Sequence, residues 1–234
     1  MTMFDHVGSA GLLYLVLIGV WVPYLALKTA YRLRGNAPIP ISRMRFLGQT
    51  AGFLLFLLLM AVLTARREWI DLTTMPRDVT LASIYAIAFL AALLLTLRLR
   101  WSSRPLAQRE RLYALLPHDR REFLVYLLVC LAAGIGEEVV YRGVLATILT
   151  RITGSFPIAV IIASIAFSVA HSVQGWRAVA SIFLLAIAAH ALVAATGSLI
   201  PMMFVHTVYD AVAGFVIPRW YRRDAAASAT PLAA

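Results

Sequence analysis

Residues 134–143 read Gly134-Ile135-Gly136-Glu137-Glu138-Val139-Val140-Tyr141-Arg142-Gly143, two adjacent carboxylates and an arginine set inside an apolar run. A charge at the centre of a bilayer costs about 3 kcal/mol even on the lower scales, so in a membrane span it must face a protein interior or a water-filled cavity. The rest of the chain says that this run is such a span. Of the 234 residues 62% are hydrophobic and 14% charged, outside the range of a soluble domain with a polar surface. Apolar runs recur at 10–27, 46–65, 79–97, 123–149, 157–173, 179–196 and 199–218. Each is near the ~20 residues that one helix needs to cross about 30 Å of hydrocarbon. The fold class expected is therefore an all-α polytopic transmembrane helical bundle of seven spans, or eight if the sixth breaks near His190.

Three of these spans lie within residues 1–122 and hold no ionisable group well inside the apolar run. The remaining four or five, within 123–218, hold Glu137, Glu138, Arg142, His171, His190, His206 and Asp210. The working part is thus expected in 123–218, followed by an Ala-rich, disordered cytoplasmic tail over 219–234. Asp5 precedes the first apolar run and no basic residue does, unlike a cleaved signal peptide, so that run reads as a retained first span.

The formal charge of +10 could point to nucleic acid or to a membrane surface. Position decides for the bilayer, because the basic residues flank the spans and no aromatic-interleaved basic patch is present. Lys28, Arg32, Arg34, Arg43, Arg45, the group Arg98 to Arg121, Arg177, Arg219, Arg222 and Arg223 fall on one side, and only Arg66, Arg67, Arg77 and Arg151 on the other. By the positive-inside rule the N-terminus is outside and the C-terminus cytoplasmic. The Arg- and Ala-rich bias suggests a bacterial inner (plasma) membrane. Trp21, Trp69, Trp101, Trp176 and Trp220 lie at or near span ends, as interfacial anchors do.

The spacing of the polar residues points to chemistry. Glu138 and Arg142 are four apart and stack on one helical face, where an ion pair offsets part of the cost of burial. Glu137 lies about 100° away around the helix, left for other work. Gly134 and Gly136 allow close approach of neighbouring helices. Phe167 and His171 share a face, and His206 and Asp210 make a second i, i+4 pair. Two routes to activated water are open. His171, His206 and Glu137 could hold Zn2+ with an open position, where the metal acidifies bound water. Alternatively no metal is needed, and a desolvated Glu137 acts as general base while His206 and Asp210 polarise a peptide carbonyl. Either route leads to amide hydrolysis.

Other chemistries fit poorly. Cys130 is the only cysteine and Lys28 the only lysine, so Cys-based metal clusters, intrachain disulfides and Ser-Lys catalysis are disfavoured. There is no His-Glu-x-x-His, Gly-x-Ser-Gly or Gly-x-Gly-Asp motif, and no elbow singles out Ser164, Ser168 or Ser172. The competing readings are a non-catalytic membrane scaffold that keeps the polar knot for folding and, behind it, a small-solute or proton-coupled transporter, in which inverted repeats would be expected.

Glu137-Glu138-x-x-x-Arg142, Phe167-x-x-x-His171 and His206-x-x-x-Asp210, in that order on separate apolar helices, resemble the three motifs of the CPBP intramembrane protease family. That family includes type II CaaX prenyl proteases and bacteriocin-processing or immunity proteins. The resemblance covers about 123–218. It implies an intramembrane metalloprotease or glutamate-dependent endopeptidase acting on a membrane-associated, lipidated or precursor protein. It implies Glu137 as catalytic base, His171 positioning water or metal, and His206 with Asp210 completing the site or stabilising the oxyanion. The last motif position is Asn in the prenyl-protease branch and Asn or Asp across the wider family. An ionised Asp only accepts hydrogen bonds, so Asp210 would be protonated, orient His206 or bind metal.

Overall fold

The computed structural model describes residues 7–32 and 42–229. Asp5, His6, Arg34 and the last five residues of the tail lie outside them. Among the described residues the chain forms eight helices: α1 (Ser9–Arg32), α2 (Arg43–Arg67), α3 (Val79–Ser102), α4 (Leu106–Leu115), α5 (Arg120–Thr153), α6 (Phe156–Ala170), α7 (Trp176–Thr196) and α8 (Ile200–Ala229). The boundaries follow local chemistry. Ser42, Asp78 and Asp119 cap α2, α3 and α5 by accepting the backbone N–H groups of Arg45, Leu81 and Glu122. Gly154 and Gly197, both at positive φ, end α5 and α7.

Six helices, α1, α2, α3, α5, α7 and α8, are long and apolar enough to cross a membrane. This corrects the expected seven or eight. The run at 157–173 folds as α6, whose 15 residues reach about 22 Å, and then breaks at His171 into a short 3-10 turn over Ser172–Gln174. The run containing His190 does not break; α7 is continuous through it. The tail is also corrected, because α8 stays helical from Arg219 through Ala229. Asp224 anchors that extension, accepting a hydrogen bond from Trp101 Nε1 at 3.1 Å and pairing with Arg98 at 3.4 Å. Trp101 is therefore a buried packing residue, 1% exposed, rather than a lipid-interface anchor, whereas Trp69 is 91% exposed.

α5 is the central rod and packs most extensively against α2 and α8. Glycine decides how close those neighbours come. A Cβ on Gly134 would lie 2.7 Å from the backbone N of Thr207 in α8, so only hydrogen permits this contact. Gly136 faces α2, where a Cβ would meet Leu54 O at an ordinary 3.5 Å. About two turns along the α5–α8 seam, Tyr126 lies across Gly214 and donates its hydroxyl to the carbonyl of Asp210 at 3.2 Å.

Within α5, residues Glu138–Leu145 form a π-helical stretch, all of them buried. Such segments widen the turn and leave backbone carbonyls less regularly paired, and they occur often at functional sites. Here Tyr14 of α1, 3% exposed, donates its hydroxyl to Val140 O at 3.1 Å. At the far end Glu68, 6% exposed, receives the N–H groups of Gly8 and Gly11 at 3.0 and 2.7 Å, so a carboxylate from α2's end caps the start of α1.

Candidate active site

Glu138 is fully buried, and its Oε1 is 3.3 Å from Arg142 NH1 on the next turn of α5. Arg142 also lies over the Phe167 ring, 4.3 Å from its centroid, so α6 provides an aromatic face to a cation already held by a carboxylate. The same Glu138 Oε1 accepts from His206 Nδ1 at 2.8 Å. That bond crosses from α5 to α8 at the level where Gly134 lets the two backbones touch.

With Nδ1 engaged, His206 turns Nε2 toward Glu137 Oε2, 3.7 Å away, and toward Asp210 Oδ2, 3.5 Å away. His171, at the end of α6, is held in the same manner. Its Nδ1 is 2.8 Å from Phe167 O, its ring lies against Phe167, and its Nε2 stands 3.9 Å from Glu137 Oε2. Glu137 Oε2 is buried and has no hydrogen-bond partner among the described residues. The six residues singled out by spacing thus form one constellation: Glu138 and Arg142 in the rear, and Glu137, His171, His206 and Asp210 in front.

His190 makes no hydrogen bond or ion pair with these residues. It is 3% exposed, and its Nε2 is buried without a partner, so it is a core histidine lacking the hydrogen bond expected of it there. Cys130 is buried and packs as a small core residue.

The constellation opens into a cavity of about 410 Å³. The sequence confines the polar residues of the spans to 123–218, but the walls come from further afield. Phe46 and Thr50 of α2, Leu93 and Arg100 of α3, Arg104 and Gln108 around the start of α4 all line it. None of these had a spacing that marked it; Arg100 and Arg104 read in the sequence only as orientation charges. α4 itself sits across one end of the cavity, its Tyr113 stacked on Tyr221 of α8 at 4.2 Å.

The donor chemistry suits a zinc ion, since both imidazoles have Nδ1 occupied and present Nε2 toward an unpartnered carboxylate oxygen. The spacing does not close around one: among the described residues no three His, Cys, Asp or Glu side chains stand close enough to hold a metal as arranged.

Residues 119–212 match the family model described as Type II CAAX prenyl endopeptidase Rce1-like. The chain carries an Rce1-like CAAX prenyl endopeptidase family domain. The domain begins at Asp119, the cap of α5, and ends two residues past Asp210, so it encloses all six residues of the constellation. α1 to α4, which supply part of the cavity wall, precede the Rce1-like domain. No curated protein and no solved structure matches the chain. A domain of this protease family, on a chain with six membrane-length apolar helices, implies a membrane endopeptidase with a protein substrate.

Proposed function

We propose that the protein is an intramembrane endopeptidase in which Glu137 activates water to cleave a peptide bond of a membrane-associated, lipidated or precursor protein. The observation that carries this reading is the convergence of Glu137 Oε2, buried and without a hydrogen-bond partner among the described residues, and two oriented imidazole nitrogens, at 3.7 and 3.9 Å, in a cavity that the Rce1-like domain shares with α2, α3 and α4. Glu137 takes a proton from water as the oxygen attacks the carbonyl carbon, and returns that proton to the leaving amine. His206 gives Nδ1–H to Glu138, so a proton on its Nε2 is directed at the developing oxyanion. Asp210 and Glu138 hold the His206 ring between them. Arg142 pairs with Glu138 on the next turn and is a positioning residue.

If a zinc ion is bound, His171, His206 and Glu137 would hold it, and it would supply acidified water; the paired Nδ1 atoms favour this second reading. In either case the helical bundle sits with its arginine-rich end in the cytoplasm, and 123–218 is the catalytic core. The test is incubation of purified protein in lipid nanodiscs with membrane-anchored peptides, cleavage being read by mass spectrometry. Wild type should cut and Glu137→Gln should not, at equal folding. Equal cleavage by both would remove Glu137 from the chemistry. If neither cuts any membrane peptide, a scaffold role becomes the better account.

A further inference from the structure

Two cations in the cavity wall have no partner that accounts for them. Arg100, on the last turn of α3, and Arg104, just beyond it, line the same cavity as Glu137 and His206. They are four residues apart in sequence, near enough for the charge of Arg100 to act on Arg104, and both are partly buried. Three other arginines at this end are paired, Arg98 and Arg109 with Asp224 and Arg43 with Glu122 at 3.0 Å, and Arg177, which also lines the cavity, is exposed instead of partly buried. Among the described residues neither Arg100 nor Arg104 forms an ion pair. Arg100 is held by the Tyr209 hydroxyl, and its guanidinium carbon lies 5.4 Å from that ring's centroid. Its Nε is buried with no hydrogen-bond partner. Burial pulls the Arg104 guanidinium below its ordinary value, Tyr209 partly opposes this, and the like charge of Arg100 adds to it. Two like charges gathered in a partly desolvated wall cost free energy that an anion placed between them would offset.

We propose that Arg100 and Arg104 form an anion subsite that receives a carboxylate of the peptide substrate, either its C-terminal carboxylate or an acidic side chain near the scissile bond. The inference rests on the endopeptidase reading and adds a specificity determinant to it. Tyr209 links the two sites. It holds Arg100 and stands beside Asp210, three residues and about 4.5 Å of helix rise from His206. A short extended peptide, at about 3.3 Å per residue, therefore spans from Glu137 to the arginines. The charge pattern also sets its direction. Glu137 and Asp210 repel a carboxylate at one end of the cavity, and the arginines attract it at the other, so one polarity of binding is favoured. A lipid phosphate is the weaker match, because these side chains line the same cavity as the reacting groups.

The test uses the full chain carrying Glu137→Gln, to prevent turnover, in nanodiscs with three fluorescent N-palmitoylated apolar octapeptides. One ends in a free acid, one in an amide, and one in an amide with a single Glu. The free acid or the Glu peptide should bind at least about tenfold tighter than the plain amide, and which of them does so identifies the source of the carboxylate. Adding Arg100→Gln and Arg104→Gln should remove the difference, and Arg100→Lys should keep most of it. Thermal melting checks the fold of each variant, and Arg104→Gln alone serves where the double replacement does not fold. Equal affinities for the three peptides, or a preference that survives the double replacement, overturns the proposal. So does phosphatidylglycerol retained through purification by the parent and lost from the double variant without any acid-over-amide preference. If the preference holds but wild type hydrolyses none of the peptides, the endopeptidase reading falls and the subsite stands.

Discussion

His206 Nδ1 on α8 lies 2.8 Å from Glu138 Oε1 on α5, across 68 residues of chain. This bond ties the rear ion pair to the front of the site, because the same carboxylate oxygen also meets Arg142. The two glutamates of the motif are therefore unequal. Among the described residues, Glu138 meets Arg142 and His206 through Oε1 and leaves Oε2 buried without a partner, whereas Glu137 accepts no hydrogen bond and faces His171 and His206 only at 3.9 and 3.7 Å.

Replacing Glu138 by Gln leaves Arg142, whose side chain is 2% exposed, as a buried cation without a counter-charge. Breaking one partner of a buried pair costs about 3–5 kcal/mol, so the melting temperature in detergent should fall strongly, together with activity. A melting temperature unchanged from wild type would show that the pair is not buried as described.

Glu137→Gln is the contrast. It removes a charge that no hydrogen bond satisfies, so stability should change little, while cleavage should drop about a hundredfold or more. Comparable loss of folding in Glu137→Gln and Glu138→Gln would favour a structural knot over a catalyst.

Gly134→Ala should cost about 1–3 kcal/mol, the range for overpacking, since its Cβ would stand 2.7 Å from backbone that cannot yield cheaply. Spreading α5 from α8 should also lengthen the His206–Glu138 bond and lower activity. Gly136→Ala, with its nearest atom at 3.5 Å, should be tolerated. Equal effects of the two substitutions on thermal unfolding would sink this account of the seam.

Tyr14→Phe strips the hydroxyl that serves Val140 O in the π-helical stretch. The loss should be about 1–2 kcal/mol, measured as a shift of the unfolding midpoint, and amide exchange in 138–145 should quicken. Unaltered exchange there would mean that the π-turn is held by its own helix.

Elemental mass spectrometry of purified protein addresses the metal. If zinc is present near one equivalent, both His171→Ala and His206→Ala should release it, since each imidazole offers only Nε2 to the cavity. Zinc that survives either change would strike that histidine from the ligand set.

Much of this protein could be read from residues close together in the chain. Long apolar runs dictate helices in lipid, because every backbone polar group must be satisfied within its own segment. The i, i+4 rule paired Glu138 with Arg142 and placed Phe167 beside His171, since a helix alone brings such residues together. The same local reasoning could not tell that the run at 157–173 would stop after 15 residues of helix, nor that a polar, Ala-rich tail would stay helical once Asp224 found Trp101.

The contacts between helices, by contrast, come from packing in three dimensions. Hydropathy does not choose partners among equally apolar rods in a bilayer; close packing at small residues and interhelical hydrogen bonds do. Gly134 against Thr207 sets α8 beside α5 and so brings His206 to Glu138. Trp101 and Arg100 read from sequence as an interfacial anchor and an orientation charge. Packing of α3 against α8 buries the first and turns the second toward the cavity of the site. Local pattern alone marked the apolar helices and the six polar residues within them; the convergence of those six, and the different partners of Glu137 and Glu138, follow from contacts between distant segments that no local periodicity encodes.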